Sequence, residues 1–423
     1  YAPEGIIAES EANATRLFGT AHSYYSTEGS SQCIRAMLFL ALQGAPQSGK
    51  RPVLLAARNA HKALLYAAAL LDFDIRWLWP SAQAEGALCS CPVTAEALTG
   101  ALHAMAQQGN TPFGVYVTSP DYLGGVQELP ALAAVCRAQG VPLLVDNAHG
   151  AYLRFLPQNC HPIAQGAAMC CDSAHKTLPV VTGGAYLHLA HDAPVQDEAA
   201  VRGALALFGS TSPSYLILQS LDACNAVLAG DYPRRLVQCC AALEGLRRSL
   251  NKTAAARQCP VPLAVAGAQQ EPMKLTLDAA ALGCTGTALA DALRRAQLEC
   301  EYADPRYVVL MFTPENPPQD YTRLQTVLEQ LLAAVPAGLL RPENRAGEFA
   351  ALQQQAAQRC TIRQAVLGAQ VRVPVHKALG RVCAMPTVSC PPAIPVAVSG
   401  EEITPAAIVL MQRYGIEELS VLR

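Results

Sequence analysis

The sequence carries little charge and no surplus of either sign. Only 15% of its 423 residues are Asp, Glu, Lys or Arg, and the formal net charge is −2. So even a balance supplies no basic face for nucleic acid or for an anionic membrane surface. No apolar run reaches the roughly 18 residues of a membrane-spanning helix. No basic stretch leads into an apolar one, so no secretory signal is read. Internal repeats and low-complexity tracts are missing as well. Cysteine is plentiful, with 16 residues, yet no C-x-x-C spacing occurs. Zinc ribbons and thioredoxin-like motifs therefore find no support, and no metal site is expected. Most cysteines sit in apolar stretches such as Ala134-Val135-Cys136 and read as buried, reduced thiols of a cytoplasmic protein. The first residue is Tyr1 rather than Met, which leads us to expect a natural segment ahead of it.

What is present is core. Half of the chain is hydrophobic, enough for two or three domains of roughly 150 residues each. From about residue 30 to 190, short apolar runs alternate with amphipathic stretches. The runs Val53–Ala57, Ile75–Trp79, Val115–Thr118, Leu143–Asp146, Ala167–Cys171 and Ala185–Leu189 are expected strands, and Leu129–Gln139, stopped by Gly140, is an expected helix. This alternation predicts an α/β domain built on a mainly parallel sheet with helices on both faces. Ligands of such sheets bind beyond the carboxyl ends of the strands, so polar residues just after strands are the ones to inspect. Past residue 260 the pattern predicts strands Met273–Leu277 and Tyr307–Phe312 and helices Thr287–Ala296 and Tyr321–Ala334. A Gln/Ala-rich helix, Glu348–Gln358, precedes a Pro- and Val-rich tail.

Several strand ends carry reactive side chains. Lys176 follows the run Ala167–Cys171 within Asp172-Ser173-Ala174-His175-Lys176-Thr177. Desolvation of a lysine there favours the neutral amine, a nucleophile toward an aldehyde cofactor. Taken singly, it also reads as a surface lysine in a loop. Asp146 ends a strand and is followed by Asn147-Ala148-His149-Gly150. An aspartate so placed can keep a pyridine nitrogen protonated, with Ala148 against the ring face and His149 near a phenolic oxygen. Its ordinary reading is a turn-initiating Asp. Glu28-Gly29-Ser30-Ser31-Gln32 opens a helix. Its amides, hydroxyls and dipole suit a phosphate, although a serine N-cap is the commoner use of such a stretch. His61 follows the strand Val53–Ala57 and is placed to stack on the ring opposite Ala148. Thr118 and Ser210-Thr211-Ser212-Pro213-Ser214 add hydroxyls. The order of these elements decides the matter: phosphate cup, stacking histidine, strand-end Asp and lysine follow one another as in a fold-type I enzyme of pyridoxal 5′-phosphate (PLP).

The chain then resembles the Orn/Lys/Arg decarboxylase family, in particular its short bacterial form without an N-terminal wing domain. The stretches that carry the resemblance are STEGSSQCIRAM, RNAHKA, VTSPDYLG, DNAHGAY, DSAHKTLPVVTGGAYL and FGSTSPSYLILQSLD, with ECEYADPRYVVLMFTPEN and CPPAIPVAVSGEEI toward the C-terminus. The resemblance implies an aspartate-aminotransferase-like large domain over 1–255, a small α/β domain over 256–338 and a decarboxylase-type subdomain over 339–423. It implies Lys176 as the Schiff-base lysine, Asp146 on the pyridine nitrogen and His61 on the ring. Ser30, Ser31, Ser173 and His175 would serve the phosphate, and Lys176 or His175 would supply a proton to the substrate carbon. Ser210 and Thr211 would complete the site of a neighbouring subunit, so a homodimer with shared sites is expected. The implied activity is decarboxylation of lysine, ornithine or arginine, as in polyamine biosynthesis. Glu401 and Glu402 are candidates for the substrate's distal cation. An aminotransferase gripping a carboxylate through Arg306, and a PLP-binding protein without turnover, are the competing readings. The chain departs from the family pattern at Cys33, Asn147 and Tyr152, and the family's P-G-H-K stretch precedes anything present here.

Overall fold

The computed structural model describes residues 3–46, 49–80, 88–267, 269–335, 348–386 and 395–423. Backbone proximity groups the chain into two compact units. The larger holds Tyr1–Asp121, Gln127–Gly230 and Ala346–Arg423, and the smaller holds Tyr122–Val126 and Asp231–Arg345.

The larger unit is built on seven strands: β1 (His22–Ser26), β2 (Val53–Ala57), β3 (Asp74–Leu78), β4 (Val115–Thr118), β5 (Leu143–Asp146), β6 (Met169–Asp172) and β7 (Ala185–Leu189). Their order in the sheet is β1-β7-β6-β5-β4-β2-β3. Strands β2 to β6 pair in parallel, and β7 runs antiparallel to both β6 and β1. This reversal brings the start of β7 to the same edge as the ends of β5 and β6. The expected strands Ile75–Trp79 and Ala167–Cys171 are displaced by one or two residues. Strand β1 was not expected: its sequence His22-Ser-Tyr-Tyr-Ser26 offers no apolar run, and pairing with β7 makes it a strand.

Three of the helices that cover this sheet matter for the site. Helix α1 (Ile6–Phe18) buries Ala14 and Phe18, and the Phe18 ring meets those of Tyr186 and His188 from β7. Helix α2 (Ser30–Gln43) buries Cys33, Ile34, Met37, Leu38, Leu40 and Ala41, a helical-period stripe that packs with Tyr116, Leu144, Cys171 and Leu187 from the sheet. Helix α3 (Lys62–Leu71) joins the same core through Ala63, Leu64 and Leu65.

The tail belongs to this unit. The guanidinium of Arg363 donates to the Ala69 and Leu70 carbonyls at the end of α3, and Glu401 pairs with Arg58. The residues of the Pro-rich stretch up to 394 lie outside the described ones.

The smaller unit has a three-stranded antiparallel sheet, β8 (Lys274–Asp278), β9 (Tyr302–Ala303) and β10 (Tyr307–Met311), in the order β8-β10-β9. The 25-residue helix Tyr232–Ala256 belongs here, because its buried Arg247 donates to the Pro272 and Lys274 carbonyls. A third sheet, in the larger unit, pairs β11 (Gln370–Pro374) with β12 (Glu418–Leu422).

Candidate active site

Asp146 ends β5 as a buried side chain only 2% exposed. It stands in register with Thr118 of β4 and Cys171 of β6. Residues on adjacent strands in register share a face, and Tyr116, two before Thr118, falls on that face too. Its hydroxyl donates to Asp146 Oδ2 at 3.0 Å. The Ala148 amide donates to Oδ1 at 3.2 Å, and the Cys171 thiol points at the same oxygen from 3.6 Å. Burial, and then the carboxylate beside it, raise the Tyr116 phenol well above its ordinary pKa, so it stays a donor. Sequence reading missed Tyr116, although period-two alternation along β4 was the available signal.

Lys176 lies in the single turn Ala174–Thr177 that follows β6. Its Nζ is 3.0 Å from Nε2 of the buried His149. Imidazole and amine thus meet although 27 residues separate them. His61 caps α3, its Nδ1 accepting the Ala63 amide at 3.1 Å. Burial lowers its pKa; Asp146 pulls the other way and Lys176 adds to the lowering. A neutral imidazole within the field of both groups is what stacking on a pyridinium requires. Thr118 donates to the Asn59 carbonyl at 3.3 Å.

The stretch read as an anion cup opens helix α2. Gly29 takes φ +73° ahead of α2, a conformation open to glycine. Its amide donates to the Gly183 carbonyl at 2.8 Å, which ties the cup to the turn before β7. Gly183, at φ +102°, could not carry a side chain: a Cβ there would press on Thr27 and Ile217. Ser173 donates to Ser30 Oγ at 2.8 Å, joining the lysine turn to the first turn of α2. Beside them, Ser31 occupies the second helical position. Orphan amides of a 14-residue helix and converging hydroxyls are a donor set that suits an anion. His175 bonds through Nδ1 to the Gly184 carbonyl at 2.9 Å, which fixes a proton on Nδ1. The lysine, the strand-end acid, the neutral histidine and the anion cup therefore fit PLP in charge and donor chemistry.

Ser210 and Thr211 stand apart, exposed on the loop between helices Glu198–Leu207 and Tyr215–Ala229, where Ser210 Oγ accepts the Ser212 amide at 3.1 Å. Glu401 and Glu402 are each engaged by an arginine of the chain. Glu401 accepts both ends of the Arg58 guanidinium, at 2.7 and 2.8 Å, and Arg58 is wholly buried beside the Trp77 and Trp79 rings. Glu402 is held by Arg359. Arg306, in the smaller unit, is paired with Asp278 at 2.7 Å.

Known proteins of similar sequence and fold point to one family. The family model described as Orn/Lys/Arg decarboxylase, major domain, matches residues 1–274. The chain is 27% identical over 417 residues to an arginine decarboxylase of Bacillus subtilis (strain 168), spanning 96% of this chain and 80% of that one. Its fold is similar to the crystal structure of a lysine decarboxylase of Francisella novicida, with a TM-score of 0.77 at 17% identity over 99% of this chain and 72% of that one. Mouse CSAD is similar at a TM-score of 0.58 and 16% identity, covering 77% and 76% of the two chains.

Proposed function

The chain belongs to the Orn/Lys/Arg decarboxylase family, an amino-acid carboxy-lyase on the fold-type I scaffold of PLP enzymes, and from that premise we propose that it uses PLP to decarboxylate lysine, ornithine or arginine. The observation that carries this reading is Lys176 Nζ at 3.0 Å from His149, both on turns adjoining the buried Asp146. PLP bound there would supply the electron sink that lets a carboxylate leave as CO2.

The chain's own residues do the rest. Asp146, held by the Tyr116 hydroxyl and the Ala148 amide, would hold a proton on a ring nitrogen. Ser30, Ser31 and Ser173 with the first amides of α2 bind the phosphate. His61 and Ala148 would hold the ring. His149 accepts or shares the Lys176 proton, so the amine is available as nucleophile and then as acid toward the substrate carbon. His175, tied to Gly184 through Nδ1, orients the turn at the phosphate end.

We also infer a homodimer. Ser210 and Thr211 are flanked along the chain by exposed apolar side chains, Leu207, Tyr215 and Leu216, which are 60%, 72% and 74% exposed. Apolar exposure of this kind suits a covering subunit, whose site the two hydroxyls would complete. A second reading, aminotransfer, needs a cation for the substrate carboxylate, and the candidate read from the sequence, Arg306, is engaged with Asp278.

The test is a CO2-release screen of purified chain with PLP against lysine, ornithine, arginine and neutral amino acids. Release from one or more of the three basic substrates alone is the expected result. Borohydride reduction should fix PLP to Lys176 and to nothing in Lys176→Ala. Labelling of another lysine, or release from neutral amino acids only, would overturn the reading.

A further inference from the structure

Behind the site, on the face of the sheet opposite Asp146, lies a polar cluster that the proposed reaction does not use. Asp172, the last residue of β6, has no exposed surface. Its Oδ2 is 3.0 Å from His161 Nε2 and 3.2 Å from His188 Nε2, and its Oδ1 accepts from Asn147 Nδ2 at 2.6 Å. His188 Nδ1 in turn meets Ser23 Oγ at 2.8 Å. Burial opposes ionisation of Asp172, but the two imidazoles and their hydrogen bonds outweigh it and hold the carboxyl below its ordinary range.

A metal ion is the first alternative, because ligand atoms of His161, Cys170 and Asp172 lie within 4.8 Å of one another. The donor chemistry favours hydrogen bonds instead. Burial drives the Cys170 thiol far up, away from the thiolate a metal takes. Asp172 Oδ2 already accepts from two imidazoles.

The position of Asn147 gives the cluster a purpose. It follows Asp146 and precedes Ala148 and His149. Its amide donates to the Cys171 carbonyl at 2.9 Å and its carbonyl accepts from Gly150 at 2.8 Å. Its side chain fills the space a Cβ at Gly150 would need. Asp172, for its part, precedes the turn of Ser173, His175 and Lys176. The Asn147–Asp172 hydrogen bond therefore ties together two turns, one bearing His149 and the other bearing Lys176.

We propose that Asn147 and Asp172 are a positioning pair, anchored by His161 and His188, that sets the relative placement of the Asp146–His149 turn and the Ser173–Lys176 turn and so tunes cofactor affinity without touching the cofactor. The inference rests on the reading that Lys176 and Asp146 hold PLP.

The test is a swap. In Asn147→Asp two carboxylates face each other with no donor between them, and PLP affinity, followed by absorbance, should fall about ten-fold, the equivalent of one lost charge-assisted hydrogen bond. In Asn147→Asp/Asp172→Asn the amide and the carboxylate exchange places. The introduced amide donates to the introduced carboxylate while its oxygen accepts both imidazoles. Affinity should then return to within about three-fold of wild type, a difference below about 1 kcal/mol. A merely space-filling role predicts no such recovery. Should Asn147→Asp fail to fold, Asn147→Ala removes the tie without adding charge. It should lower PLP affinity similarly while the far-UV circular dichroism of the apo chain stays unchanged. Wild-type affinity in Asn147→Ala or Asn147→Asp, or a double variant no better than Asn147→Asp, would overturn the pair. So would one zinc per chain, measured by elemental analysis and lost in His161→Ala. A wild-type chain that fixes no PLP at Lys176 would instead sink the site reading, and the inference with it.

Discussion

Replacing Glu401 by Gln isolates the Arg58 ion pair from the rest of the larger unit. Arg58 has no exposed surface and Glu401 is 5% exposed. Removing one charge of such a pair leaves the other buried and uncompensated, a loss of about 3–5 kcal/mol. The lower end applies, because Gln keeps an acceptor for one guanidinium nitrogen. The Trp77 and Trp79 faces, 4.9 and 4.6 Å from the guanidinium carbon, offset about 0.5–2 kcal/mol each and are present in both forms. The expected loss is therefore about 3 kcal/mol. These are the only two tryptophans of the chain, so their emission reports on this corner directly. With a urea slope of about 3 kcal/mol/M, the midpoint of the tryptophan transition should fall by about 1 M. Arg58→Met/Glu401→Leu should recover most of the loss, since apolar replacement of a whole buried pair is often neutral or better. A midpoint unmoved in Glu401→Gln, or a double variant as weak as the single one, would refute the claim that the pair is buried and coupled.

Three further outcomes are expected. Asp146→Asn should keep PLP bound yet lose at least about a hundred-fold in kcat, because an amide cannot hold the ring proton; an active Asn variant, measured in the CO2 assay, would remove that role. The His61 pKa is lowered by burial, so the unfolded chain takes up its proton first as pH falls. Stability should therefore decline below about pH 6.5, and His61→Phe should flatten that slope in pH-dependent urea melts; an equal slope in the variant would show that His61 is not the group. Lys176→Ala mixed and reassociated with a Ser210→Ala/Thr211→Ala variant should regain partial activity through mixed dimers. Mixed dimers verified by tagged pull-down that stay at the activity of the separate variants would turn the Ser210–Ser214 loop into an ordinary helix lead-in.

Much of the candidate site was legible because its parts are local. Val115–Thr118, Leu143–Asp146 and Ala185–Leu189 are apolar runs of strand length with turn residues behind them, and strands form there. Gly29-Ser30-Ser31 signals a helix start whatever the rest of the chain does. Asp146 and Lys176 could be picked out because parallel strands deliver their last residues to one edge. The same period that made these elements readable left β1 unread, since His22 and Ser23 break an apolar pattern that only the partner β7 makes unnecessary.

What local pattern could not hold was partnership across the sheet. Glu401 reads as a candidate partner for a substrate cation until a residue 343 positions away reaches it. Tyr116, His161 and His188 were not singled out in the sequence; register places the first beside Asp146, and the folded chain brings the other two onto Asp172. Local pattern sufficed for most of the elements and for the family, because backbone propensity and burial periodicity act over a few residues. Which buried charges meet was left to the folded sheet. A carboxylate taken out of water must find its donors in space, and the strand order that supplies them joins residues that are distant along the chain.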